Sequence, residues 1–138
     1  MVRVEEMIGI DTNVLVRFLV NDDPDQNASA RQFLSERTTD DPAFLSAVAL
    51  AETVWVLRRR LGFPMPQIVA ILRDLLASDS LIIEHTEELD ALLNGGDELE
   101  PDIADYLVAW SGAKAGCRTT MTFDRMAARS VDGMDLLT

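Results

Sequence analysis

Met7-Ile-Gly-Ile-Asp-Thr-Asn-Val-Leu-Val-Arg-Phe-Leu-Val20 is the stretch on which the reading of this chain turns. Its first four residues form a short apolar run that suits a buried strand. The run stops at the polar Asp11-Thr12-Asn13. Beyond it Val14, Leu15, Phe18 and Leu19 recur at helical spacing, which predicts a helix over 13–20. A buried strand that hands over to a helix through a polar turn is the opening of an α/β unit.

The alternation continues outward from there. Asp23-Pro24 reads as an N-cap followed by proline in the first helical turn, opening a helix to about Arg37 that buries Ala30, Phe33 and Leu34. Ala43–Leu45 is a second strand, and Ser46 is placed to cap a long helix to Arg60. The closing Arg58, Arg59 and Arg60 suit the negative end of that helix dipole. Pro64 and Pro66 mark a turn before a helix over 67–77, with Ile68, Ile71, Leu72 and Leu75 on one face. Leu81–Ile83 is a third strand. Thr86 is expected to cap a helix that ends near Gly95-Gly96, and Pro101 to open one that reaches Ala115, with Gly116 as its stop. A strand over 119–122, a short helix over 124–130 and a last strand over 135–137 complete the order. Strands alternating with helices predict an α/β domain with a mainly parallel sheet, one domain over residues 1–138. Ligand sites in such sheets lie beyond the carboxyl ends of the strands. Asp11 and Asp124 both follow predicted strands.

Composition narrows the chemistry. Apolar residues make up 48% of the 138, enough for an ordinary core. No apolar run is long enough for a membrane span, since the longest, 44–57, is interrupted by Glu52. The first residues show no signal-peptide pattern, so a cytoplasmic location is expected. A single cysteine, Cys117, excludes an internal disulfide and a multi-cysteine zinc site, and a single histidine, His85, excludes a His-rich metal site. Neither is expected to be catalytic. Twenty-four acids against 12 bases give a formal net charge of −12, which repels a phosphate backbone. Contact with nucleic acid then requires bound divalent cations or a basic partner chain.

Four acids stand out against that background. On a helix Glu52 has Val48, Ala49, Trp55 and Val56 as same-face neighbours, all apolar. A carboxylate there is expected to be partly desolvated and to need a cation, an arginine or a proton. Asp102 and Asp105 share a helix face three residues apart. Asp102 is accounted for by the helix dipole, whereas Asp105 sits one turn in, beside Val108 and Ala109. Asp11 and Asp124 each have a second reading as helix N-caps. Taken together, two acids at strand ends and two on apolar helix faces are expected to converge on one rim of the sheet. Four such carboxylates repel unless a hard cation lies among them. Oxygen donors without histidine or cysteine favour Mg²⁺ or Mn²⁺ over zinc.

With these residues in place the chain resembles the PIN-domain family, and within it the VapC-like toxins of bacterial toxin–antitoxin pairs. The matching stretches are Ile8-Gly-Ile-Asp-Thr-Asn-Val-Leu-Val-Arg17, Leu45-Ser-Ala-Val-Ala-Leu-Ala-Glu-Thr-Val-Trp-Val-Leu57, Asp102-Ile-Ala-Asp-Tyr-Leu-Val-Ala109 and Thr120-Met-Thr-Phe-Asp-Arg125. The resemblance implies a three-layer α/β/α fold and Mg²⁺- or Mn²⁺-dependent cleavage of RNA. It makes Asp11, Glu52 and Asp105 the core acids and Asp124 a fourth, with Thr12, Asn13, Ser46 and Thr122 as supporting polar positions and Asp102 as an accessory. The chain departs from the pattern at Tyr106, where a small residue is common, and at Thr120-Met121, where a more β-branched strand is usual. The resemblance also implies a homodimer and a small antitoxin whose basic residues occupy the acidic site, which the charge of −12 suits.

Basic residues that can steer RNA are few: the cluster Arg58, Arg59 and Arg60, which also reads as a solvated helix end, and Arg17 and Arg125 near the acids. Trp55 and Trp110 fall in apolar helical stripes and are expected to pack in a core or dimer rather than stack on bases. A dehalogenase-like phosphatase needs a second acid where Asn13 stands, and a receiver domain needs a late lysine that Lys114 does not supply. The rival from another class is a catalytically silent PIN scaffold that binds protein or RNA. DNA in place of RNA is a further alternative.

Overall fold

A computed structural model describes residues 7–95 and 102–138 of the chain. They fall into two compact units, Met1–Leu93 and Asn94–Thr138. The predicted starts at Pro101 and the stop at Gly96 lie outside the described residues.

The first unit is built on three parallel strands, β1 (Ile8–Ile10), β2 (Ala43–Leu45) and β3 (Leu81–Ile83), which lie side by side in sequence order. Ile8 pairs with Ala43 and Ala43 with Leu81, so the register is even across the sheet. Parallel neighbours require crossover connections, and helices supply them. Helices α1 (Thr12–Leu19) and α2 (Pro24–Ser35) join β1 to β2, and α3 (Ala47–Trp55) and α4 (Met65–Leu76) join β2 to β3. Helix α5 (Thr86–Leu93) follows β3. The apolar stripes read from sequence are what the unit buries. Leu15, Leu45, Leu50, Leu57, Ile68, Leu72 and Leu89 are almost completely enclosed. Ala30 is buried too, whereas Phe33 and Leu34 are only half-buried.

Each strand of this sheet ends in a residue that caps a helix. Asp11 follows β1 and accepts from the Val14 backbone N–H (3.1 Å) at the start of α1. Ser46 follows β2 and accepts from Ala49 N–H (3.1 Å). Glu84 follows β3 and accepts from Ala47 N–H (2.7 Å), so the first turn of α3 has two side-chain acceptors. Such caps are worth about 1 kcal/mol each. Thr86 departs from expectation. Its hydroxyl donates back to the Ile83 carbonyl instead of accepting from the helix, and Leu89 N–H bonds to the His85 carbonyl (2.9 Å). His85 takes a φ of +64° to make this corner.

The predicted long helix 46–60 is interrupted. After Trp55 the chain forms a wider π-type turn over Val56–Arg60, where Leu61 N–H reaches back five residues to the Val56 carbonyl (3.1 Å). Thr53, buried just before it, donates its hydroxyl to the Ala49 carbonyl (2.8 Å), an arrangement that competes with regular helix bonding.

The second unit has α6 (Ile103–Lys114), β4 (Thr120–Thr122), α7 (Arg125–Ser130) and β5 (Met134–Leu136). Strands β4 and β5 pair in parallel, Thr120 with Met134 and Thr122 with Leu136. The short core is Ala109, Ala127, Val131 and Met134, with Tyr106 packed against it. Gly116 ends α6 with a φ of +99°, as expected of a helix stop. Gly112 lies so near Thr120 that a Cβ there would approach its Oγ1 to 2.7 Å. Parallel strands joined by helices make the chain an α/β protein, as the alternation predicts. Among the described residues no helix is long and apolar enough to cross a membrane.

Candidate functional site

In the first unit Asp11 and Glu52 line one cavity of about 430 Å³, together with Thr12, Asn13, Trp55, Val56 and Arg60. The cap at the end of β1 fixes Asp11, and α3 carries Glu52. The Thr12 hydroxyl donates to Glu52 Oε2 (3.3 Å), which ties the two elements at their acids. Asp11 thus fulfils its capping reading and still faces the cavity. Ser46 acts one step away, by fixing where α3 begins.

Glu52 does not occupy the desolvated position that its apolar neighbours predict. It is exposed, because Val48 (69% exposed) and Trp55 (57% exposed) on its flanks face water themselves. Only Ala49 of that face is buried and Val56 is half-buried. The segment is helical as its periodicity predicts, but α3 turns its Leu50, Thr53, Val54 edge to the core instead.

The wide turn after Trp55 also changes which arginine accompanies Glu52. In a regular helix Arg59, seven residues on, would stand almost above Glu52. One extra residue in the turn passes that place to Arg60, which is the arginine lining the cavity. No sequence pattern marks the widened turn. Arg58 and Arg59 are exposed. Arg17 is engaged by its own chain: Nη1 pairs with Asp22 (2.9 Å) and Nε donates to Gln26 Oε1 (2.7 Å).

In the second unit Asp124 accepts from Ala127 N–H (3.0 Å) and caps α7, while its own N–H donates to Thr122 Oγ1 (3.0 Å). Thr122 therefore sets the Asp124 turn. Arg125 is exposed at the first position of α7. Asp105 is half-buried on α6. Its carboxyl is pushed above the usual carboxylate range, first by burial, then by the negative charges of Asp124 and Asp102, with a backbone hydrogen bond at Asp102 pulling the other way. The fold thus brings Asp102, Asp105 and Asp124 into one electrostatic neighbourhood. Trp110 is half-buried 5.9 Å from the Tyr106 ring, in keeping with a packing role.

Among the described residues no three His, Cys, Asp or Glu side chains are grouped closely enough to hold a metal ion as they stand. The donors nevertheless suit one. They are carboxylate oxygens, and Asp105, raised first by burial and then by the charges of Asp124 and Asp102, is a carboxyl whose ionised form a divalent cation would favour.

A family model for the PIN domain matches residues 8–133, nearly the whole chain. The chain belongs to the PIN-domain family. PIN domains are generally nucleases that use divalent metals, so the family points to action on nucleic acid. No curated protein matches the chain.

Proposed function

We propose that this chain is a Mg²⁺- or Mn²⁺-dependent endoribonuclease in a single domain over residues 1–138, acting as the toxin of a VapBC-type pair. The observation that carries the reading is the PIN-family match over residues 8–133 together with the cavity that Asp11 and Glu52 line, and the raised Asp105 carboxyl beside Asp124 and Asp102 supports it. Asp11, Glu52, Asp105 and Asp124 would hold the metal. An ion held there would supply an activated water for attack on the scissile phosphate and charge to stabilise the leaving oxygen.

The chain's own residues prepare that chemistry. Thr12 orients Glu52 through its hydroxyl, and the Thr122 hydroxyl fixes the Asp124 backbone. Asp102 adds negative charge that strengthens cation capture at Asp105. Asn13 lines the cavity with Asp11. Arg60 offers a positive group at a rim that otherwise repels phosphate. The net charge of −12 suits a basic antitoxin chain as partner, and a homodimer in the cytoplasm is the expected form.

The test is cleavage of single-stranded RNA with Mg²⁺, with Mn²⁺ and with EDTA, beside a DNA strand of the same sequence. RNA is expected to be cut only with metal, and Asp11→Ala and Asp105→Ala to be inactive. Binding without cleavage under every metal condition would make the chain a silent scaffold. Equal cutting by the two alanine variants would remove the assignment.

A further inference from the structure

The wall of the cavity beside Asp11 and Glu52 contains a side chain that the metal chemistry leaves unused. Trp55 stands there with 57% of its surface exposed, and Arg60 stands in the same wall. Burial of an indole is strongly favourable, so a tryptophan held in water presents an open apolar plate. Its place follows from the helix. Trp55 lies three residues after Glu52 and is therefore its surface neighbour, and the widened turn puts Arg60 where Arg59 would otherwise be.

Carboxylates, a flat aromatic face and a guanidinium thus surround one opening. Metal binding needs only the first of these. An aromatic plate with a cation beside it matches one nucleotide, whose base stacks and whose phosphate pairs with the cation. Only unpaired bases are free to stack in this way, because a duplex keeps its bases within its own stack.

We infer that Trp55 is a substrate-positioning residue, on which an unpaired base of single-stranded RNA stacks while Arg60 meets an adjoining phosphate. The inference rests on the ribonuclease reading above and names the side chains that seat one base and its phosphate beside the acids.

The experiment uses the full chain carrying Trp110→Phe, so that Trp55 is the only tryptophan. Its emission is titrated with a short 2′-O-methyl single strand that resists cleavage, with versions that carry one abasic nucleotide at successive positions, and with the duplex. In parallel, cleavage kinetics compare the parent with Trp55→Ala and Trp55→Phe, and sedimentation records the oligomeric state of each. The single strand is expected to quench Trp55, and the abasic version at one position to lose most of that quench. Trp55→Ala should raise KM by roughly tenfold with kcat nearly unchanged, and Trp55→Phe should recover most of the loss. Quenching that is the same with duplex and with every abasic strand would overturn the inference. So would a parent that cuts RNA while Trp55→Ala leaves KM unaltered, an outcome that leaves the ribonuclease reading standing. A Trp55→Ala variant that only shifts dimer to monomer would assign the indole to a contact between copies and overturn it too. Position-dependent quenching without any cleavage would support Trp55 stacking and remove the ribonuclease reading alone.

Discussion

The two units place their acids by the same local device and surround them differently. Asp11 follows β1 and caps α1, and Asp124 follows β4 by two residues and caps α7. Each is fixed by a backbone N–H three residues on. Beside Asp11, however, the second acid is Glu52, which accepts a hydrogen from Thr12 and faces water. Beside Asp124 the second acid is Asp105, half-buried and with Asp102 also near it. A carboxylate with a donor of its own chain and a solvated face is at rest without help. One that is buried among like charges is not. The comparison locates the greater demand for a cation on the second unit.

The largest effect expected from this difference is on catalysis. Asp105→Asn and Asp124→Asn should each lower cleavage by roughly 10²–10³-fold, in line with loss of one group that stabilises the reacting charge. Thr12→Ala removes only a group that orients Glu52 and should cost about tenfold. Initial rates at saturating Mn²⁺ check the ranking, and equal losses would break the comparison.

Stability separates the units next. Leu50→Ala, at a completely buried position of the first unit, should cost about 2–5 kcal/mol in urea unfolding. Met121→Ala, at a site 48% exposed in the second, should stay within about 0.5 kcal/mol. Metal sharpens the contrast in the other direction. Mn²⁺ at about a hundred times its Kd should stabilise the parent by roughly 2.7 kcal/mol, and Asp105→Asn should lose most of that gain.

The smallest expected effect is the pH dependence of the metal-free protein. Asp105 is held above its ordinary carboxylate value of 3.8. Between that value and the raised one, the folded chain binds more protons than the unfolded chain. Its contribution to stability therefore improves as pH falls through this window and is lost as pH rises through it. Asp105→Asn removes the penalty. Metal-free Asp105→Asn should be more stable than the parent at neutral pH by roughly a few tenths of a kcal/mol, because water screens a half-exposed group. The gap should close on acidification, and thermal melts in EDTA across pH 3 to 7 would read it.

Much of the fold was legible because its signals are local. The handover from Ile10 through Asp11 to Val14, the Asp23-Pro24 start and the Gly116 stop are each set by one or two residues, and all three appear as expected. The site was less legible where it depends on which way an element is turned. The stripe Val48, Ala49, Glu52, Trp55, Val56 has helical periodicity, but Leu50, Thr53 and Val54 offer α3 a second apolar edge, and that is the one buried in the core. With both edges apolar, sequence alone does not choose between them, and the exposed Trp55 follows from that choice. Arg60 stood in the expected arginine cluster, but its selection over Arg58 and Arg59 was hidden for another reason. The register of the last turn shifts by one residue through backbone bonding between Val56 and Leu61, for which residue types carry no mark. Glu84 was missed because its role at the N-terminus of α3 is a contact 37 residues away in sequence. Arg17 looked available to RNA only because its partners Asp22 and Gln26 lie on the turn and helix that follow it.

Calorimetric titration of Mn²⁺ into the metal-free chain and into its Asp11→Asn and Asp105→Asn variants tests most directly whether these carboxylates form one metal-dependent centre. Measurable binding by the parent, abolished in each variant while far-UV circular dichroism is unchanged, is the predicted result. Binding of equal strength in the parent and both variants would contradict it.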